Sequence, residues 1–300
     1  MINSSTPPPP PSRWRLVDLE PLHGGVSGAT VLRGRLTGCG DDRRVVIKHT
    51  DRLEAEVLEL LAALDEPLFP RLLDVSDAGD MVWLMIDFHR GRPAGISAGL
   101  SEQVHRAIGR MHAHFADRPG LFPADAERIG KPFLLRTLTS FGPDQLAAAG
   151  DRLSTAARRT GTELMQRLAD DESYLTFGRR LDRTVLHGDL YGLNVLLPTE
   201  HEAALVIDWN VARIGPAMFD VAMTAPYDSD ARRAHDAGWV EVTGRAPDSH
   251  QDQLAHAWCS SMINIGYAGV VAVRSSPDEG ERMIFDAVEA ADRWSSLLGC

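Results

Sequence analysis

Lysine is almost missing from this chain: of its 31 basic residues only Lys48 and Lys131 are lysine, and the rest are arginine. Cysteine is nearly as scarce. Cys39, Cys259 and Cys300 are odd in number and far apart, which argues against a disulfide framework or a CxxC metal site. No apolar run approaches the roughly 18 residues of a membrane span. The opening residues MINSSTPPPPPSR have neither the basic nor the apolar region of a secretory signal, and their run of prolines predicts an extended, poorly packed tail over residues 1–12. The expectation is a cytoplasmic protein with no membrane partner. Positive charge is also in deficit. A formal net charge of −11 repels a phosphate backbone, so nucleic acid is not an expected partner, whereas a cationic ligand is favoured.

The chain has 300 residues, 44% of them hydrophobic, enough for a large core and for one or two domains. Residues 13–88 read as short β-rich segments, RWRLVDL, TVLRGRL, RVVIK, LLDV and MVWLMIDF, whose turns suggest an antiparallel sheet. One helix interrupts them at about 52–64, with Val57, Leu58, Leu60, Leu61 and Leu64 on a shared face. From about residue 100 the pattern becomes helical, with candidates near 101–117, 133–140, 144–170, 229–243, 250–272 and 278–298, interrupted by the strand pair NVLL and ALVIDW. A small sheet-rich lobe at 13–88 and a larger, mainly helical lobe at 89–300 are expected, joined around 86–93. No internal repeat is present.

The run VLHGDLYGLNVLL, residues 185–197, draws a carboxylate through an apolar segment, where an unpaired charge costs several kcal/mol. Asp189 and Asn194 stand five apart across a turn that contains glycine, the offset at which protein-kinase loops carry a base for the acceptor hydroxyl and a Mg²⁺ ligand. Asp208 follows nineteen residues after Asp189, alone at the end of ALVID. Asn194 and Asp208 together offer the oxygen donors that Mg²⁺ prefers. A competing reading takes His187, Asp189 and Asp208 as ligands of a metallohydrolase, but gives no role to Lys48. Lys48 closes the strand RVVIK, the place from which a kinase lysine reaches the α- and β-phosphates of ATP. It needs a holding carboxylate, and Glu54 lies nearer the apolar face of the following helix than Glu56, with Glu56 and Glu59 left to solvate it. Gly24, Gly25, Ser27 and Gly28 are placed to fold over nucleotide phosphates, and the backbone around Ile86 and Phe88 to meet an adenine edge. The base contacts are not legible, so GTP stays open beside ATP.

Two other features read as ordinary. His112 and His114 in GRMHAHF point apart on a helix and are not expected to share a metal. Trp239 and Trp258 are expected to pack in the interior rather than cage a quaternary ammonium.

HGDLYGLN at 187–194, IDW at 207–209, VVIK at 45–48, EAEVLELL at 54–61 and GGVSGATV at 24–31 together resemble the aminoglycoside phosphotransferases and the choline-kinase-like small-molecule kinases. The resemblance implies an α+β, bilobal protein-kinase-like fold with ATP and Mg²⁺. It assigns catalysis to Asp189, metal binding to Asn194 and Asp208, phosphate binding to Lys48 with Glu54, and a buttressing role to Asp220. A protein kinase is not expected: only twelve residues separate Asp208 from Asp220, with no DFG or APE. The acceptor is therefore small. From Phe219 to Cys300 there are 13 acidic residues against 6 arginines, a wall suited to a polycationic antibiotic such as an aminoglycoside, aminocyclitol or basic peptide, serving resistance or self-protection. Asp228, Asp230, Asp236 and Glu241 are the acceptor-side candidates. A metabolic kinase of an amino sugar, choline or similar hydroxyl compound stays open. So does a pseudokinase that binds nucleotide without catalysis, although Lys48, Asp189, Asn194 and Asp208 are all retained. The oligomeric state is not legible.

Overall fold

The structure is a computed structural model that describes residues 15–22, 30–38, 41–95, 98–116, 118–200 and 202–299. The expected tail at 1–12, the phosphate-loop candidates Gly24, Gly25, Ser27 and Gly28, and Cys39 and Cys300 lie outside the described residues. The chain forms two compact units, each drawn from separated segments. The first takes Met1–Gly95, Pro123–Asp125 and Gly192–Ala212; the second takes Ile96–Phe122, Ala126–Tyr191 and Arg213–Cys300.

In the first unit β1 (Arg15–Pro21), β2 (Val31–Gly38) and β3 (Asp41–Thr50) lead into α1 (Arg52–Ala62), then β4 (Leu72–Ala78) and β5 (Met81–Asp87). The strands form an antiparallel sheet in the order β1-β2-β3-β5-β4. Period-two alternation along β3 sends Val45 and Ile47 into a cluster with Leu36, Trp83 and Met85, and so leaves Lys48 to the other face. Asp51 starts α1 by accepting the Glu54 backbone N–H at 3.1 Å, an N-cap of ordinary strength at about 1 kcal/mol. The helix buries Ala55, Val57, Leu58 and Leu61 on one side, and Glu54 with them.

The second unit supplies α2 (Glu102–Phe115), β6 (Glu127–Arg128), α3 (Lys131–Arg136), α4 (Gly142–Ala149), α5 (Thr155–Asp170), α6 (Glu172–Phe177) and β7 (Thr184–Leu186). The chain then returns to the first unit for the hairpin β8 (Val195–Leu196) and β9 (Leu205–Val206), which is tied to residues 92–94 through Leu197 N–H to Arg92 O at 2.8 Å. The last stretch, again in the second unit, holds β10 (Arg213–Gly215), α7 (Met218–Thr224), α8 (Asp230–Thr243), α9 (Ser249–Arg274) and α10 (Pro277–Leu298). β10 lies between β6 and β7.

One continuous helix over 144–170 is not what forms. Gly150 takes a positive φ of 53° that ends α4, and Ser154 opens α5 by capping the Ala157 N–H. The helix near 133–140 likewise ends at Arg136 and runs on as a π-helical stretch over Thr137–Phe141. Trp258 packs as expected: it is fully buried against Tyr174 and Phe177, with its indole N–H given to the Tyr174 carbonyl at 2.9 Å. Helices α2 and α8 approach closely enough to require glycine. A Cβ on Gly109 would sit 2.0 Å from the His235 carbonyl oxygen, and one on Gly238 2.0 Å from that of Arg106. Among the described residues no helix is long and apolar enough to cross a membrane.

Candidate active site

Lys48 is buried, and its ammonium lies 2.8 Å from Glu54 Oε2 and 2.5 Å from Asp208 Oδ1. Thr50 also holds Glu54, donating its hydroxyl to the same Oε2 at 2.6 Å. Burial opposes the lysine charge, but Glu54 and then Asp208 outweigh it and hold the Lys48 pKa above its ordinary value. Burial pushes the Glu54 carboxyl up, with Lys48 and Thr50 pulling against it. Glu56 is half-buried and Glu59 exposed, and neither pairs with Lys48.

Asp208 directly follows the hairpin. Val195 pairs with Val206, so Asn194 stands across from Ile207, whose N–H reaches the Asn194 carbonyl at 2.8 Å. Asp208 is one residue further on and adopts φ 66°, a left-handed conformation that costs a non-glycine residue about 1 kcal/mol or more and tends to mark a functional position. Trp209 anchors this bend: it is buried, edge-on to Phe69, and donates its indole N–H to the Val206 carbonyl at 3.0 Å. A side-chain amide and a carboxylate from adjoining hairpin ends are hard oxygen donors, so Asn194 and Asp208 fit Mg²⁺ in kind. Among the described residues no group of three His, Cys, Asp or Glu side chains is arranged to hold a metal.

Asp189 belongs to the second unit. It follows β7 through His187 and Gly188, and Gly188 takes φ 78°, a turn that only glycine makes cheaply. The turn is clamped by Asp220, which is fully buried at the start of α7 and accepts the His187 N–H at 2.7 Å and the Gly188 N–H at 2.9 Å. Arg213 Nη1 donates to the Gly188 carbonyl at 2.6 Å. Burial alone would raise the Asp220 pKa, but the hydrogen bond from His112, with the Gly188 N–H, holds it below the ordinary carboxylate range. His112 and Arg213 had no sequence signal for this work. His112 shows in sequence only a spacing that rules out a metal pair with His114, and Arg213 is one arginine among many.

Arginines face three of the four acceptor-side carboxylates. Asp230 pairs with Arg233, Asp236 Oδ2 with Arg232 at 2.9 Å, and Glu241 with Arg106 at 2.6 Å and Arg110 at 2.9 Å. Counting charges along residues 219–300 overstated the negative wall, because Arg106 and Arg110 come from α2. Only Asp228, exposed before α8, has no ion pair among the described residues. At the other candidate position, Ile86 lies in β5 between β3 and β4, and the N–H groups of Asp87 and Phe88 donate to the carbonyls of Arg71 and Arg44, both at 3.2 Å. Those two donors are therefore engaged with the backbone of the neighbouring segments. Phe88 also lines a cavity of about 800 Å³ within the first unit, walled by Arg43, Arg44, Arg71 and Arg90, which does not touch Lys48, Glu54, Asn194 or Asp208.

The sequence matches the model of the phosphotransferase enzyme family over residues 18–257, most of the chain. The chain belongs to that family. It is a small-molecule kinase, with a protein-kinase-like fold built from an antiparallel-sheet lobe and a mainly helical part. Solved structures share the fold. A Ralstonia eutropha protein named provisionally as an aminoglycoside phosphotransferase is 18% identical, with 98% of this chain and 94% of that one covered and a TM-score of 0.57. The choline kinase of Cryptosporidium parvum is 12% identical over 94% and 90%, with a TM-score of 0.60. A thermostable aminoglycoside phosphotransferase mutant, solved with ADP and hygromycin B, is 13% identical over 93% and 95%, with a TM-score of 0.53. No curated protein matches the sequence.

Proposed function

We propose that this phosphotransferase moves the γ-phosphoryl group of ATP to a hydroxyl of a small cationic molecule, an antibiotic of the aminoglycoside, aminocyclitol or basic-peptide kind, in cytoplasmic resistance or self-protection. The observation that supports this reading most is the buried Lys48 held between Glu54 and Asp208. One cation between two carboxylates leaves a net negative charge, which suits a site completed by a divalent metal and a phosphate chain. Lys48 binds the nucleotide phosphates and Glu54 fixes its direction. Asn194 and Asp208 would hold Mg²⁺, which when bound neutralises charge on the phosphates. Gly25, Ser27 and Gly28 are the candidates for binding the phosphates and Ile86 and Phe88 for bordering the base, with GTP as the alternative nucleotide. Residues 13–88 thus serve the nucleotide, and residues 89–300 supply the catalytic loop and the acceptor contacts.

Asp189 orients the acceptor hydroxyl and takes its proton. As the acceptor oxygen bonds to the γ-phosphorus, the bond from that phosphorus to the bridging oxygen breaks, and ADP departs with the electron pair. Asp228 is the acidic candidate for a cationic acceptor, since the other three carboxylates face arginines.

A second reading, a metabolic kinase of a choline-like alcohol, is supported by the similarity to a choline kinase. ADP release measured with ATP and Mg²⁺ over a panel of aminoglycosides, aminocyclitols, basic peptides, amino sugars and choline separates the two. Turnover with an antibiotic is expected. Turnover with choline or an amino sugar alone favours the metabolic kinase, and ATP binding without ADP release from any acceptor favours the pseudokinase.

A further inference from the structure

Behind the clamp on the catalytic turn lies a buried chain of polar groups. His112 on α2, Asp220 on α7 and His235 on α8 are each fully buried. His112 Nε2 lies 3.1 Å from Asp220 Oδ2, and His112 Nδ1 lies 2.9 Å from His235 Nε2. The direction of each hydrogen bond follows from the carboxylate. An ionised Asp220 only accepts, so His112 must carry its proton on Nε2. In a neutral ring Nδ1 is then an acceptor, and His235 Nε2 must donate to it. In that neutral form the donors point one way, from His235 to His112 to Asp220, where the His187 and Gly188 N–H groups converge from the other side. Beyond His235, Nδ1 is 3.6 Å from Asp236 Oδ1, and Arg232 joins Asp236 to Asp252 at 2.9 and 3.0 Å. The close approach of α2 and α8 at Gly109 and Gly238 brings the two imidazoles into contact.

We propose that His112 and His235 are positioning residues for Asp189: by presenting a donor to Asp220 they hold it in the rotamer that clamps the two residues before the base. His112 supplies the donor and His235 sets the tautomer that makes it one. The proposal rests on the reading of Asp189 as the base that receives the acceptor proton. It predicts that damage to the relay lowers kcat and leaves ATP binding alone, because Lys48, Glu54, Asn194 and Asp208 belong to the other unit.

The test pairs His112→Gln with His112→Asn. The glutamine amide nitrogen reaches the place of Nε2 and keeps the donor to Asp220, whereas asparagine reaches only the place of Nδ1 and loses it. With the acceptor that supports ADP release, kcat of His112→Asn is expected to fall about tenfold or more, the loss of a hydrogen bond to a charged group. His112→Gln is expected to stay within about threefold of wild type, with KM for ATP unchanged in both. Amide exchange gives a second arm that needs no substrate: the His187 and Gly188 N–H groups should exchange faster in His112→Asn than in His112→Gln, while β7 is unaffected. Should the His112 variants fail to fold, His235→Phe, which cannot donate, is expected to lower kcat and to speed exchange at Gly188. Equal kcat and equal amide exchange in the two His112 variants, or a loss confined to KM for ATP, overturns the proposal. A wild type that binds no ATP overturns the kinase reading instead, and amide exchange still decides the relay.

Discussion

In the first unit one cation, Lys48, lies between two carboxylates; in the second, one carboxylate, Asp220, lies among three N–H donors. The first centre has charge left over. Its side chains sum to a net negative charge, and Asp208 is partly open to solvent. The second centre is closed, since Asp220 is fully buried and its donors are two backbone groups and the His112 ring N–H. It has nothing to offer a ligand, and what it fixes is the shape of the turn that presents Asp189. Damage to the first centre should therefore appear in nucleotide affinity, and damage to the second in the rate of transfer.

The largest expected effect is at the end of that turn. Asp189→Asn keeps the size and much of the hydrogen bonding but removes the charge, and kcat should fall about 10²–10⁴-fold with ATP affinity little changed. Steady-state kinetics would sink the role of Asp189 if the variant kept most of its kcat. Next is Lys48→Ala, which strands the buried Glu54 without its counter-charge. Breaking a buried pair from one side costs about 3–5 kcal/mol, so denaturant unfolding should show a loss of that order. Adding Glu54→Gln should restore part of it, and strict additivity of the two changes would show that the pair is not coupled.

Smaller effects test the helix contact behind the relay. Gly109→Ala or Gly238→Ala drives a methyl into the backbone of the facing helix and should destabilise by about 1–3 kcal/mol. Thermal melts that leave both variants at the wild-type Tm would mean that α2 and α8 are less tightly opposed than the glycine contacts require.

The smallest effects are in pH dependence, where two neighbours act with opposite sign. Burial pushes the His235 ring from 6.5 down to about 4, so the unfolded chain takes up a proton first, and this contribution to stability is lost as pH falls from 6.5 towards 4. Burial pushes the Asp252 carboxyl from 3.8 up to about 6, partly offset by Arg232, so here the folded state takes up its proton first and stability is gained as pH falls below 6. Stability curves between pH 4.5 and 7, read as about 1.4 kcal/mol per pH unit for one proton, should therefore move apart: flatter on the acid side for His235→Gln and steeper for Asp252→Asn. Parallel curves for the two variants would contradict the burial of either group.

The same contrast explains what could be read from the sequence. Lys48, Glu54, Asn194 and Asp208 were legible because each is a polar residue in an apolar setting, at a spacing that strand and helix periodicity interprets without knowledge of the rest of the fold. The antiparallel sheet and the helix from Arg52 followed from the same local patterns. His112 and His235 were not legible in this way. They stand 123 residues apart, and what joins them is the glycine contact between α2 and α8, which leaves no periodic trace in either segment. The pairing of Glu241 was hidden for a related reason: Arg106 and Arg110, which face it, come from a helix far earlier in the chain. The break at Gly150 and Ser154 was within reach, since a glycine followed by a capping serine is a local stop and start signal.

The central claim, that one unit binds the nucleotide and the other serves the acceptor, is tested most directly by calorimetric titration of ATP with Mg²⁺ into wild type, Asp208→Asn and Asp189→Asn. The expected result is binding by wild type, about tenfold or more weaker binding by Asp208→Asn, and an affinity within about threefold of wild type for Asp189→Asn. Equal affinity in all three proteins, or a greater loss at Asp189 than at Asp208, would contradict it.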